Sequence, residues 1–197
     1  MKEKFIPIDI VFEQKKMGLR VFRGHVWGEK EMYNDILIEK PLGVYILPYV
    51  RKENGEILIG MIKNNWRLKP EEFIDEIPRG YGKVNKIFKE RPLGAARREF
   101  AEEDEANVKL NKKRFAFLGG PYIMDSSWFK TPGDYIFACE IKENEIIVDS
   151  NGKQTISRDL TNDFKMSRLE FINLDTIDFK RCGMSKLSLM LFKEKLK

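Results

Sequence analysis

Cysteine and histidine are scarce in this chain of 197 residues, which has two cysteines and one histidine. Cys139 and Cys182 stand far apart in the sequence and have neither the spacing of a zinc site nor that of a disulfide framework. His25 has no histidine partner, so we expect a structural role for it. These absences do not favour zinc chemistry or a nucleophilic site built on histidine.

Long apolar runs are also missing. No stretch approaches the roughly 20 residues that span a bilayer, and the first residues do not form the apolar core of a signal peptide. We therefore expect no membrane partner and a cytoplasmic location. With 42% hydrophobic and 12% aromatic residues the chain can build a packed core, which excludes a disordered or collagen-like protein. The length fits one domain.

The formal net charge of +5 comes from one segment. Residues 180–197 contain six basic residues and one acid, and the rest of the chain is neutral. We interpret this segment as the solvated face of a final helix rather than a phosphate-binding patch. The composition therefore does not favour a nucleic-acid partner.

Alternating apolar and polar residues predict mainly strands. The predicted strands cover residues 20–27, 35–39, 43–50, 56–62, 114–118, 134–141 and 168–174. Glu53 to Gly55 predicts a tight hairpin between two of them. Helices are predicted at about 92–106 and about 185–196, and the polar residues 143–165 predict a long loop. Many strands and few helices in mixed order indicate an α+β sandwich.

The first predicted helix carries an unusual set of charges. On a helical wheel Glu99, Glu102 and Glu103 fall within about 140° of Arg98, beside the apolar stripe that contains Phe100. Carboxylates three and four residues apart repel each other, and anions near a helix C-terminus are disfavoured. A divalent cation with hard oxygen ligands would reverse both penalties; the alternative is a solvated acidic face.

A basic segment leads into this helix. Seven basic residues and one acid, Glu90, lie between Arg79 and Arg98, and the segment includes Gly80 and Gly82. A basic, glycine-bearing loop before a carboxylate helix suits a substrate in which metal ions bridge phosphates. The alternative is a charged surface loop.

These residues resemble the Nudix box, whose pattern is G-x5-E-x7-R-E-U-x-E-E-x-G-U with U apolar. Glu90 is followed after seven residues by Arg98 and Glu99, and then by Glu102 and Glu103. The layout upstream, from Glu39 to Pro48, resembles the ADP-ribose pyrophosphatase branch of Nudix hydrolases. The resemblance implies an α/β/α sandwich with a mixed sheet, an N-terminal β-strand region at residues 1–42 that commonly helps to form a homodimer, and a Nudix domain at residues 43–197.

The sequence departs from the pattern in two places. Nine residues separate Gly80 from Glu90 where the pattern has five, which lengthens a loop that borders the substrate. Glu105 replaces the glycine that ends the helix, and we expect Asn107 to take the left-handed conformation instead, after a slightly extended helix.

The resemblance implies specific roles. Glu99, Glu102 and Glu103 would bind Mg²⁺ or Mn²⁺, aided by the backbone carbonyl of Arg79. Arg98 would orient one carboxylate, either Glu90 or Glu99.

Further roles concern the substrate and the base. Arg67, Glu76 and Arg79 would contact the substrate, while Trp66 and Trp128 fit packing better than stacking on a base. In the related branch the general base lies on a loop before the last strand. Five acids of this chain qualify: Glu143, Glu145, Asp149, Asp159 and Asp163.

The resemblance implies a metal-dependent pyrophosphatase acting on a nucleoside diphosphate derivative, with ADP-ribose or a related sugar nucleotide as the first substrate to test. Two alternatives remain. One is a Nudix-fold sensor that binds a nucleotide without hydrolysing it. The other is an RNA-directed pyrophosphohydrolase, which only the basic C-terminal segment supports.

Overall fold

The computed structural model describes residues 4–14, 19–27, 32–66, 69–83, 90–102, 106–123, 129–162, 167–179 and 182–197. These residues form thirteen strands, two α-helices and three short 3-10 turns. The strands are β1 (Lys4–Gln14), β2 (Leu19–Trp27), β3 (Met32–Glu39), β4 (Gly43–Arg51), β5 (Ile57–Trp66), β6 (Lys69–Glu76), β7 (Arg79–Tyr81), β8 (Phe115–Tyr122), β9 (Phe129–Lys130), β10 (Asp134–Ile141), β11 (Ile146–Val148), β12 (Gln154–Ile156) and β13 (Glu170–Asn173). The helices are α1 (Pro92–Ala101) and α2 (Gly183–Lys195).

The first three strands form an antiparallel meander, and β9 pairs in parallel with the outer side of β3. The predicted strands in this part of the chain are confirmed. β1 is not among the predicted strands, and it exposes several apolar side chains, among them Ile8, Ile10 and Phe12.

The main sheet has the strand order β13-β5-β4-β10-β8, with β6 paired to β5 and β7 paired to β4. Its centre is a parallel pair, β4 and β10, in which Gly43 lies opposite Asp134. The other pairs are antiparallel, so the sheet is mixed. The predicted hairpin between β4 and β5 is present, and Gly55 adopts φ 86° in its turn.

Alternate residues of the central strands face two different helices. Val44 and Ile46 pack in one core with Phe100 of α1, whereas Leu47 packs in a second core with Phe192 of α2. Strands covered on both faces have continuous apolar runs rather than strict alternation, which explains the apolar sequence of β4. A mixed sheet between α1 and α2 confirms the predicted α+β class and its α/β/α layers.

The first helix is shorter than predicted, since it ends at Ala101 rather than near residue 106. Glu102 is already extended, with ψ 143°, and the next three residues lie outside the described ranges. Asn107 has φ 56°, so the left-handed conformation predicted for it is confirmed, but the expected extension of the helix is wrong. Tertiary partners explain the early end, because Val108 N–H donates to the Phe100 carbonyl and Asn162 donates to the Ala101 carbonyl.

Residues 143–165 are not one irregular loop, as the sequence predicted. They contain the hairpin of β11 and β12 and two 3-10 turns. Ile146 pairs with Ile156, and Ile156 is buried in the core beneath α1, so burial of a few apolar residues orders this polar segment. In the described part of the chain, neither helix has the length and apolar content needed to cross a membrane.

Candidate active site

Arg98 lies at the centre of a carboxylate cluster at the end of α1. Its Nε lies 3.2 Å from both oxygens of Glu90, and its Nη2 donates to Glu90 Oε2 at 2.9 Å. Its Nη1 donates to Glu99 Oε1 at 2.7 Å and to Glu102 Oε1 at 2.6 Å. The sequence left open whether Arg98 orients Glu90 or Glu99, and the structure places it on both.

Gly80 provides the space in which the Glu99 carboxylate lies. A Cβ at position 80 would stand 2.0 Å from Glu99 Cδ and 2.0 Å from Glu99 Oε2. The other oxygen, Oε1, also accepts a hydrogen bond from Tyr81 N–H at 3.1 Å. Burial raises the pKa of Glu99, although the bonds from Arg98 act against this shift. The carboxylate is therefore both desolvated and tightly positioned.

Glu90 is oriented by two elements. Besides Arg98, the backbone N–H of Lys83 donates to Glu90 Oε2 at 2.9 Å, which ties the two ends of the basic loop together. Burial opposes ionisation of Glu90, but the bonds from Arg98 and Lys83 outweigh it and lower its pKa. In turn, burial acts to lower the pKa of Arg98, and the bonds from Glu90, Glu99 and Glu102 outweigh it and raise that pKa.

Tyr81 is a site residue that the sequence analysis missed. Its N–H donates to Glu99, and its carbonyl accepts from Arg98 Nη2 at 2.6 Å. Both bonds use the backbone, so the identity of the side chain gave no signal. The position between Gly80 and Gly82 was the available clue, because two glycines let β7 lie close against α1 and against Leu42.

The predicted substrate residues Glu76 and Arg79 contact each other. Glu76 is buried and its Oε2 lies 3.2 Å from Arg79 Nη2. Arg79 directly precedes Gly80 on β7, so it lies next to the carboxylate cluster. Arg67, Glu103 and Trp128 lie outside the described residues, as does the side chain of Trp66.

A second buried carboxylate, also missed from the sequence, lies where β4 and β10 begin. Asp134 is 3% exposed and pairs with Lys40, whose Nζ is 3.1 and 3.2 Å from its two oxygens. Gly43 makes room for it, since a Cβ there would stand 2.1 Å from Asp134 Oδ1. Burial and the nearby Asp134 together raise the pKa of Tyr45 to about 12. Nothing in the local sequence indicates this pair, because it joins residues 94 positions apart.

A divalent metal ion needs several oxygen ligands around one point. In the described part of the chain, no group of three or more His, Cys, Asp or Glu side chains is placed to hold a metal. Glu99 and Glu102 nevertheless share one donor atom of Arg98, so their oxygens lie close to each other. Carboxylate oxygens are the ligands that Mg²⁺ prefers, and the glycine cradle holds one of them in place. Glu99 and Glu102 therefore offer two carboxylates of the type that would bind such an ion.

Three of the five candidate bases have partners at 2.6 to 2.9 Å. Glu143 accepts from the backbone N–H of Glu53, and Glu145 pairs with Arg114 at 2.6 Å. Asp149 accepts from the backbone N–H groups of Asn151 and Lys153.

The other two candidates flank a segment that contacts the end of α1. Asp159 is exposed, and Asp163 lies outside the described residues. Between them, Leu160 accepts from Lys109 N–H, Thr161 forms a bridge with Val108, and Asn162 donates to Ala101. Asp159 therefore directly precedes the part of the segment that contacts the carboxyl end of α1.

Neither the protein-family models nor the curated proteins give a match to this sequence. Solved structures do: the chain is similar to the crystal structure of an ADP compounds hydrolase, with a TM-score of 0.61 and 15% sequence identity. The similarity covers 100% of this chain and 95% of that one. At this level of identity it shows a shared fold over the whole chain.

Proposed function

We propose that this chain is a metal-dependent Nudix hydrolase that cleaves the pyrophosphate bond of a nucleoside diphosphate derivative, with ADP-ribose or a related sugar nucleotide as its first candidate substrate. The observation that carries the proposal is the arrangement around Arg98, which binds Glu90, Glu99 and Glu102, while the glycine of β7 makes room for Glu99. The fold shared with an ADP compounds hydrolase supports a hydrolase of nucleotide compounds.

Glu99, Glu102 and Glu103 would hold the divalent ion, with the carbonyl of Arg79 as a further ligand. When bound, the ion would neutralise charge on the diphosphate and lower the pKa of an attacking water. The chain's own residues would keep the ligands oriented: Arg98 and the Tyr81 N–H fix Glu99. Such fixed contacts around ligand residues tune their position and basicity.

The basic loop before α1 would meet the phosphates. Arg79 is the described member of the predicted substrate set that reaches the surface, and its pairing with buried Glu76 restricts its guanidinium. A planar guanidinium held in one orientation suits two-point recognition of a phosphate. Arg67 is predicted to act on the same substrate.

The test is hydrolysis of a nucleotide panel with Mg²⁺ or Mn²⁺: ADP-ribose, NADH, diadenosine polyphosphates, nucleoside triphosphates and capped RNA. Wild type is compared with Glu102→Gln and Glu103→Gln, and with Glu194→Gln as a control for an exposed carboxylate on α2. We expect turnover of ADP-ribose or a sugar nucleotide that a chelator and both site variants abolish and that the control retains.

Three results would contradict this proposal. Tight nucleotide binding without turnover of any substrate would indicate a sensor. Turnover limited to capped RNA would indicate the RNA-directed alternative. Undiminished turnover in Glu102→Gln would show that the reaction does not depend on this cluster.

A further inference from the structure

A groove runs along α1 beside the carboxylate cluster, close to Glu90 at its Gly94 end. Its volume is about 620 Å³, within the range of small-ligand sites. Gly94, Arg97 and Ala101 form one wall, and residues 109–111 form the other. Gly94 and Ala101 have little or no side chain, which leaves the space between the two walls open.

Arg98 lies between this groove and Glu99 of the proposed active site. On the helix, Gly94, Arg97 and Ala101 lie on one side of Arg98, and Glu99 lies on the other. Arg98 also lines the groove, but its guanidinium is already bonded to three carboxylates. The charge available to a ligand in the groove therefore comes from other residues.

Arg97 and Lys109 supply that charge from opposite walls. Both are exposed, and Arg97 makes one weak contact, from Nε to the Leu110 carbonyl at 3.4 Å. Within the described ranges, neither forms an ion pair with an acid. Asn111, in the same wall as Lys109, uses its amide oxygen to accept from Lys113 N–H, which leaves its amide nitrogen as a further donor.

We propose that this groove binds linked phosphoryl groups, as in inorganic pyrophosphate or the phosphate tail of a nucleotide. Two cations on facing walls suit an anion with two charged centres, and guanidinium groups bind phosphate through paired hydrogen bonds. The lining contains no aromatic ring, so it offers no stacking platform for the bases of a single-stranded nucleic acid. The inference does not depend on the proposed hydrolase activity.

Calorimetric titration with pyrophosphate tests the proposal. The titration is done in EDTA, because without divalent ions the carboxylate cluster repels the anion. The double variant Arg97→Gln/Lys109→Gln removes both cations of the groove. The matched control, Lys112→Gln/Lys113→Gln, removes two exposed charges from the adjoining turn outside the groove lining. We expect the groove variant to weaken binding by about tenfold or more and the control by less than about threefold.

Equal weakening in both double variants would show diffuse charge attraction and overturn the proposal, as would the absence of pyrophosphate binding to wild type. Single-stranded RNA is titrated in parallel across salt concentrations. RNA binding that is tighter than pyrophosphate binding and is lost in both double variants would assign the surface to nucleic acid. Thermal unfolding of each variant verifies that a loss of binding does not come from misfolding. The variant Arg97→Lys keeps the charge and verifies that the loss of binding comes from the removed charge.

Discussion

Replacing Gly80 by alanine should disturb the candidate active site more than any other single methyl group added to the loop. The new Cβ would stand 2.0 Å from Glu99 Cδ and Oε2 and 2.5 Å from Cγ, far inside van der Waals contact. Glu99 cannot simply swing aside, because it starts from a buried helix position and Arg98 and Tyr81 hold its carboxylate. The carboxylate must therefore leave its place.

The loss of stability in Gly80→Ala follows from the contacts that Glu99 loses. Hydrogen bonds to a charged group contribute about 1.5–3 kcal/mol each, and Glu99 would lose those from Tyr81 N–H and Arg98. Arg98 keeps Glu90 and Glu102, and Glu99 regains hydration when it moves outward, so the losses are partly offset. We expect unfolding free energy to fall by about 2–4 kcal/mol, a decrease of roughly 5–15 °C in Tm. If the proposed function is correct, turnover falls at least 100-fold.

Thermal unfolding and the hydrolysis assay measure both effects, with Gly94→Ala as the matched control. A Cβ at Gly94 meets only Glu90 atoms at 3.6 and 3.8 Å, an ordinary contact, and alanine favours a helix over glycine by about 1 kcal/mol. In a Glu99→Ala background the cost of Gly80→Ala should largely disappear, because the clashing side chain is gone. Wild-type stability and turnover in Gly80→Ala would refute the placement of Glu99.

Three further predictions concern charges and backbone around the site. Asp134→Leu should destabilise the protein by about 3–5 kcal/mol because Lys40 loses its ion-pair partner. The double variant Lys40→Met/Asp134→Leu should recover much of that loss, and denaturant titration measures the stability of both variants. Asn107 has φ 56°, a left-handed conformation that glycine adopts readily and alanine does not. Asn107→Gly should therefore leave stability unchanged within about 0.5 kcal/mol, and Asn107→Ala should lower it by about 1 kcal/mol or more. Equal stability of the two variants would contradict this account. The folded-state pKa of Glu90 lies below its ordinary value of 4.5, so its ion pair with Arg98 stabilises the fold above that pH and is lost as pH falls through the lower value. The stability difference between wild type and Glu90→Gln should therefore be largest near neutral pH and shrink below about pH 4.5.

Much of the fold could be predicted from local patterns. The strands β2 to β5, β8, β10 and β13 follow from apolar periodicity and turn residues, and the α+β class follows from their number. The predicted boundaries failed where distant residues satisfy the backbone. Helix α1 ends at Ala101 because Asn162 and Val108 take up its last carbonyl groups, and no local pattern encodes those contacts.

The candidate site divides in the same way. Spacing along one helix was enough to predict that Arg98 and Glu102 meet, because residues four apart share a helix face. The contact of Arg98 with the adjacent Glu99 does not follow from that spacing. The sequence also indicated a glycine-bearing loop before that helix. It could not indicate that Gly80 leaves room for Glu99 or that the backbone of Tyr81 joins both charged partners.

The sequence by itself therefore determined the set of charges, their spacing on α1 and the class of fold. Only the tertiary structure decided which groups meet. Close approach of β7 to α1 desolvates Glu99 and fixes its orientation, and the parallel pairing of β4 with β10 buries Asp134 against Lys40. Periodicity depends on neighbours a few residues apart, whereas these contacts join residues 18 and 94 positions apart and depend on how the layers pack.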